Sequence, residues 1–498
     1  MNEQKNFDVV IIGAGAVGNA IARTLTGYKL SVAVVEKEPD TAFGISGRNS
    51  GVAHAGFNNK PGSLMAKLCV QGNEQFGKAA EELDIPFKRT GKLVIALSED
   101  DVPGLYELKA QGEANGTREL RLVDSQEIKS INPNINGVMG LWSGMTGVFD
   151  PFAFTIALAE NAKENGAVYF FDQQVTGIIS EPNLSPDNHG FIVQTSRNSG
   201  MLTARWVINS GGLHSDEICR MVGIEHYEIH PCRGEYHILD QKLSAYLGLP
   251  VYPVPSKTSG GLGVHLTSAP SGNIIIGPSS EYISEKEDYR DTKQVMDQLF
   301  SEGSQLLPGI ASSHIIKSFA GVRPKLTAPN QGVFADFVIE ESSKVPGFII
   351  LTGIESPGIT SAIPISEMVA GILLARENVE KNEHYSPIRH EGRSFSSQEK
   401  SELSNAAHST NAAHNIICRC EAITEAEVLS AYDRILAIGA ILTMKGIKNR
   451  TRAGMGRCQG GFCAIKIAAL LEEKRGVDPL HLHFNSLKDS MFVGRTRE

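Results

Sequence analysis

The chain has 498 residues and a formal net charge of −9, long enough for about three domains and too acidic for nucleic acid to be its main partner, since phosphate binding needs a basic surface. Hydrophobic residues make up 41% and charged residues 21%, the balance of a soluble globular protein that can build a large core without disulfides. Seven cysteines, unevenly placed, do not make a secreted disulfide framework; metal binding in a reducing compartment is the better reading.

The N-terminus MNEQKNFDVV lacks the basic region, apolar stretch and cleavage site of a secretory signal. No run of about eighteen apolar residues predicts a spanning helix. The expected location is cytoplasmic, or peripheral to a membrane through a partner. FDVVII at 7–12 is short, β-branched and bounded by glycine, which predicts a buried strand. Residues 15–27 suit a helix and SVAVVE at 31–36 a second strand. Between the first strand and the helix lies Gly13-Ala14-Gly15-Ala16-Val17-Gly18. Gly13 permits the tight turn, Gly15 lets the backbone approach a pyrophosphate, and Gly18 lets the helix lie close to the strand. The helix N-terminus offers free N–H groups to an anion. Glu36 ends the second strand, where a carboxylate accepts hydrogen bonds from an adenosine ribose and repels a 2′-phosphate. Strand, glycines, helix, strand and acid in this order predict a dinucleotide site.

Ser46-Gly47-Arg48-Asn49-Ser50-Gly51 follows, and the small polar side chains of Ser46, Asn49 and Ser50 suit a pyrophosphate and a flavin. Strand-rich segments near 86–98 and 225–280 predict a separate sheet over a substrate. PFAFTIALAENAKENG reads as a helix, and GKLVIAL, ARWVINS, GNIIIGP and GFIILTG as strands. The alternation indicates an α/β protein. After FIILT comes a second glycine turn that opens a helix, Gly353-Ile354-Glu355-Ser356-Pro357-Gly358-Ile359-Thr360. NAD-only dehydrogenases do not need this late turn, so Gly353, Gly358, Ile359 and Thr360 join the expected cofactor set; Val175 is included with them. From about 385 to 412 the chain is polar, rich in Ser, Asn and Ala, and reads as a linker.

Cys418-Arg419-Cys420 and Cys458-Gln459-Gly460-Gly461-Phe462-Cys463 lie beyond it. A C-x-C pair reaches one iron of a two-iron cluster and a glycine-rich loop the other; structural zinc, which favours wider pairs, is the alternative. Lys445, Lys448, Arg450, Arg452 and Arg457 are placed to offset a cluster's negative charge, or form a solvated basic face. Cys69, Cys219 and Cys232 read as buried small apolar residues.

Residues 1–380 resemble the amino-acid-oxidase-type flavoproteins. Asn49-Ser50-Gly51-Val52-Ala53-His54-Ala55-Gly56, Pro61-Gly62-Ser63, Arg233-Gly234-Glu235-Tyr236, Gly277-Pro278 and Gly321-Val322-Arg323-Pro324 are similar to glycerol-3-phosphate and L-2-hydroxyglutarate dehydrogenases. The last 85 residues or so resemble the bacterioferritin-associated-ferredoxin-like [2Fe-2S] domain. That domain also ends the anaerobic glycerol-3-phosphate dehydrogenase A subunit, whose architecture the whole chain resembles. The resemblance implies extended FAD in residues 1–385, with cofactor-binding segments at about 1–85, 150–220 and 325–380. An inserted antiparallel-sheet substrate domain takes about 86–149 and 221–324. Residues 386–412 are the linker and 413–498 a small, mainly helical domain. Cys418, Cys420, Cys458 and Cys463 would hold the [2Fe-2S] cluster.

Flavin oxidation of an alcohol needs a base for the hydroxyl proton and a cation for the substrate's anionic end. Among fourteen histidines, His54 in GVAHAGF and His265 in GLGVHLT match histidine-bearing motifs of these flavoproteins; a structural role is the alternative for each. The arginine matching Arg323 lies near the flavin in the family and often holds an anionic substrate, for which its fork is suited. Lys325, Tyr236 and Lys257 are secondary candidates. The expected reaction is sn-glycerol-3-phosphate to dihydroxyacetone phosphate. Electrons would pass through FAD and the cluster to a partner oxidoreductase subunit or quinone-linked acceptor. A 2-hydroxy acid such as L-2-hydroxyglutarate, or a substrate-free electron-transfer subunit, are the alternatives.

Overall fold

The structure is a computed structural model and describes residues 5–181, 190–197, 201–255, 263–329, 331, 334–390 and 415–494. The central sheet has eight strands. Lys5–Ile12 runs parallel to Val32–Val35 on one side and to Leu202–Asn209 on the other. Phe348–Thr352 adds parallel to Leu202–Asn209, and Val168–Phe170 adds beyond Val32–Val35. Val32–Val35 and Phe348–Thr352 are buried throughout. Such unbroken apolar runs suit parallel strands covered on both faces. Helices Ala16–Leu25, Pro151–Glu164 and Ala362–Leu374 supply part of that cover. Asp150 caps the second of them by accepting from the N–H groups of Phe152 and Ala153.

The second sheet has nine strands, taken from both sides of the central sheet's helix-bearing segment. One group is Lys92–Ala96, Leu120–Asp124 and Met139–Ser143; the other runs from His230–Leu239 to Ile315–Lys325. The expectation of an antiparallel sheet needs one correction, because Val251–Pro253 pairs parallel to Lys92–Ala96. That pair joins the two groups. No hairpin links its strands, so turn geometry does not impose an antiparallel direction.

The C-terminal region is a short hairpin, Ile416–Cys418 with Ile423–Thr424, and helices Glu425–Ile438, Met444–Thr451 and Cys463–Arg475. Thr424 and Glu427 cap the first helix reciprocally. This region shares one apolar core with the central sheet: Val34, Ile208 and Ile365 belong to the same buried cluster as Val428, Ile447 and Leu471. A buried ionic knot reinforces the seam. Arg450, 0% exposed at its side chain, pairs with Asp40 and lies 3.4 Å from Glu160. Glu160 also accepts from Arg434 at 3.0 Å and Arg389 at 3.2 Å. Those three arginines hold its carboxyl below the ordinary range, against the burial that would raise it. Of the expected linker, residues 386–390 pack on the first module: Arg389 donates to the carbonyl of Asp84, and Ser386 accepts from Asn161 and Asn165. Residues 391–412 lie outside the described residues.

Candidate functional site

The two glycine turns face one cavity of about 1740 Å³, which also runs beneath the second sheet. At its dinucleotide end the glycines leave room that no side chain could share. A Cβ on Gly18 would stand 2.0 Å from the carbonyl oxygen of Gly13, and one on Gly15 would meet Ser46 Oγ at 3.1 Å. Gly13 has φ +102°, which favours glycine. Ser46 Oγ accepts from the N–H of Ala16 at 3.0 Å, at the start of the first helix. Glu36 accepts from the N–H groups of Ala14 at 2.7 Å and Glu38 at 2.9 Å. Burial raises its pKa against those bonds. Val175, Asn49 and Ser50 line the cavity, and Asn49 also ties its own loop, donating to the carbonyl of Ser46 and accepting from Gly51.

The late turn closes against the early loop. Thr360 Oγ1 accepts from the N–H of His54 at 3.1 Å and donates to the carbonyl of Val52 at 3.3 Å. Gly358 and Ile359 line the cavity. Gly353 does not; it shapes the turn, at φ +70°. The cradle fits an extended dinucleotide: a side-chain-free glycine turn at one helix N-terminus, a buried acid at the second strand's end, and a second turn beyond.

His54, His265 and Arg323 converge on the other end of the cavity. His54 Nε2 is 3.5 Å from Ser356 Oγ. His265 Nδ1 is 3.0 Å from the carbonyl oxygen of Gly263, and its ring stacks on Tyr252 at 3.7 Å. An N–H on Nδ1 donating to that carbonyl leaves Nε2 as the basic nitrogen. Burial pushes the His265 pKa down to about 3, partly opposed by the Gly263 bond, with Lys92 and Arg323 adding to the fall. His54 is driven well below its ordinary value by burial, then by Lys92 and His265. Both imidazoles are therefore neutral near pH 7.

Arg323 lies on Ile315–Lys325, with Nη2 donating to the carbonyl of Ser279 at 2.9 Å and Nη1 3.4 Å from Cys232 Sγ. Tyr236 lines the same end and stacks on Phe319 at 4.6 Å. Lys325 is engaged by Glu355 at 3.0 Å, and Lys257 lies outside the described residues. Cys69, Cys219 and Cys232 are buried and unpaired, as expected of small apolar residues.

Sequence reading missed Lys92. It is 1% exposed, with Nζ 4.1 Å from the ring centre of Tyr252 and 4.3 Å from that of Phe57. Burial lowers its pKa to about 7. The available signal was a lysine opening the apolar run KLVIA directly after a glycine, at a position with no solvent face.

In the tail, Cys420 and Cys458 have their sulfurs 3.7 Å apart. Cys418 is brought down to about pH 6 by a hydrogen bond from Cys463 and by the N–H groups of Gly454, Glu421 and Cys420. Among the described residues no three His, Cys, Asp or Glu side chains converge on a single ion position. Cys418, Cys420, Cys458 and Cys463 nevertheless gather at one place, with Cys420 against Cys458 and Cys418 against Cys463, and four thiolates are the donor set that would hold a [2Fe-2S] cluster. The expected cation screen is corrected in part. Arg450 is consumed by the seam, Arg452 bridges Glu421 and Asp150, and Arg457 pairs with Asp240. These arginines dock the tail, because the carboxylates of the first module reach them.

Residues 8–372 match the family described as FAD dependent oxidoreductase, nearly three quarters of the chain. The chain belongs to that family. Residues 416–473 match the BFD-like [2Fe-2S] binding domain, so this flavoprotein carries FAD and a [2Fe-2S] cluster. It is 36% identical to a glycerol 3-phosphate dehydrogenase of Caloramator mitchellensis over 99% of both chains. It is 32% identical to the mitochondrial L-2-hydroxyglutarate dehydrogenase of Arabidopsis thaliana, over 74% of this chain and 84% of that one. Among solved structures, the FAD-bound L-alpha-glycerophosphate oxidase from Mycoplasma pneumoniae superposes with a TM-score of 0.71 and 27% identity, covering 77% of this chain and 98% of the other. Among the described residues no helix is long and apolar enough to cross a membrane.

Proposed function

We propose that this FAD-dependent oxidoreductase oxidises sn-glycerol-3-phosphate to dihydroxyacetone phosphate and passes the electrons through its tail to a separate acceptor, a partner oxidoreductase subunit or quinone-linked carrier. One observation carries the choice of substrate. The glycerol 3-phosphate dehydrogenase relative is alike over 99% of both chains, cysteine module included. The L-2-hydroxyglutarate relative is alike over 74% of this chain. FAD supplies a hydride acceptor, and the cluster takes single electrons.

The residues of the chain do the rest. Arg323 offers its guanidinium to the phosphate. A neutral His54 or His265 takes the hydroxyl proton, on Nε2 in the case of His265 given its Gly263 bond. The second sheet closes over the substrate and excludes water. A cavity end carrying two imidazoles and a guanidinium favours an enzyme over a substrate-free relay. Mixing the oxidised protein anaerobically with glycerol 3-phosphate, L-2-hydroxyglutarate and other hydroxy acids tests the reading. Glycerol 3-phosphate is expected to bleach the flavin fastest. Faster bleaching by L-2-hydroxyglutarate reverses the assignment, and no bleaching by any alcohol favours the relay.

A further inference from the structure

The loops that carry the four cysteines have an outer side that the fold itself does not use. Arg419 lies between Cys418 and Cys420, and residues 459–462 lie between Cys458 and Cys463. The Cys420–Cys458 contact of 3.7 Å sets these loops side by side. Cys418 and Cys463 are buried, while Arg419, Gln459, Gly461 and Phe462 are exposed. Phe462 is 79% exposed and Ile465 58%. Phe462, Ile465, Lys466 and Ala469 follow helical spacing and form one exposed face that starts at the cysteines. The other face of the same helix is buried through Ile467, Leu470 and Leu471.

The cysteine end of this stripe is basic: Arg419 and Lys466 lie there, neither 416–420 nor 457–466 contains an acidic residue, and Glu472 and Glu473 come only past Ala469 at the far end. The nearby carboxylates are already engaged, Glu421 by Arg452 and Asp240 by Arg457. On a chain of net charge −9, a basic cysteine end beside an exposed aromatic is a local reversal. Screening confines charge effects to about 8 Å at physiological salt, so the local sign governs contact. An exposed apolar centre with a polar rim is the anatomy of a docking surface.

We propose that this face docks a one-electron carrier protein whose redox centre is ringed by acidic side chains. The proposal rests on the reading of the four cysteines as cluster ligands. A second copy of the chain is the competing occupant, and its dimer would be seen by sedimentation. The segment 391–414 is disfavoured because its sequence is mostly Ser, Asn, Ala and charge, with little to cover an apolar stripe. Oxidation of one alcohol releases two electrons and two protons. Each carrier accepts one electron, so two carriers are reduced per substrate molecule.

Titration of the full-length protein, loaded with both cofactors, tests this, with a small acidic plant-type ferredoxin as the probe and basic cytochrome c as the control. The ferredoxin is expected to bind, with Kd rising about tenfold between ~0.01 M and ~0.15 M salt. Arg419→Glu with Lys466→Glu is expected to weaken binding about tenfold or more, and Phe462→Ala by about tenfold. Iron content, cluster absorption and flavin bleaching by substrate should stay at wild-type levels in these variants. Failure of the ferredoxin to bind, tighter binding of cytochrome c, or unchanged affinity in variants with an intact cluster overturns the proposal. Sedimentation showing a dimer that Phe462→Ala dissociates also overturns it. Wild-type protein with stoichiometric flavin and no iron would instead strike the cluster reading beneath it, and the iron assay separates the two failures.

Discussion

The two cofactor regions are assembled over different ranges of the chain. The cavity takes its walls from Ile12 through Thr360, and distant backbone must touch to shape it. A Cβ on Gly72 would stand 2.0 Å from the carbonyl oxygen of Thr360, and one on Gly321 would stand 2.1 Å from that of Arg48. The cysteine centre is drawn from the segment Cys418 to Cys463, on a hairpin and a helix start. A short-range centre of this kind invites the view that its domain is an independent unit. The seam contradicts that view, because the apolar core and the knot around Glu160 run through both regions. Local assembly of a site does not imply local stability.

The sharpest way to break the comparison is Glu160→Gln. Removing this carboxylate leaves buried arginines without their counter-charge, at a cost of about 3–5 kcal/mol. Flavin release and loss of cluster absorption should then shift to lower temperature together in a thermal scan. A shift confined to the cluster signal would make the tail an independent unit after all.

Arg323→Lys tests the cavity alone. The charge stays but the fork is lost, and hydrogen bonds to charged groups are worth about 1.5–3 kcal/mol. The expected result is a fall of roughly tenfold to a hundredfold in kcat/KM for glycerol 3-phosphate, with flavin content unchanged. Unaltered kinetics would move the anion site away from Arg323.

Acid stability sharpens the contrast further. His265 stays neutral in the folded chain down to about pH 3, but in the unfolded chain it takes a proton below about pH 6.5. Its contribution is present above pH 6.5 and is lost as pH falls below it. At pH 5 the loss is about 2 kcal/mol. Urea unfolding of wild type and His265→Phe at pH 7 and pH 5 should show a steeper decline in the wild type; equal slopes would mean that His265 is protonated in the fold. The smallest expected effect belongs to Lys92→Met. Lys92 helps keep both imidazoles neutral, so its loss should move the acid limb of kcat/KM to higher pH by roughly half a unit to one unit. A limb that stays in place would make Lys92 a structural residue only.

Motifs whose chemistry is local were legible in the sequence. Gly13, Gly15 and Gly18 are required by a turn of six residues, and the four cysteines declare themselves by spacing. The second sheet was legible as a cluster of strands, but not its parallel pair, since Val251–Pro253 and Lys92–Ala96 are joined by no local turn. Lys92 was hidden because a lysine in a strand ordinarily points to water, and only the closure of Phe57 and Tyr252 over it removes that option. The arginines of the tail were visible as charges, but the carboxylates that claim them, Asp40, Asp150, Glu160 and Asp240, are hundreds of residues away.

The knot at the seam also governs how the tail can be inherited. Asp40 and Glu160 sit in the first module, while Arg434 and Arg450 arrive with the tail. A gene that shed the tail would take from Asp40 its arginine partner and leave Glu160 with Arg389 alone. Mutation toward neutral residues at both positions would relieve that burden. A shortened relative that still keeps both acids would therefore mark a recent loss, or a cysteine module supplied as a separate polypeptide.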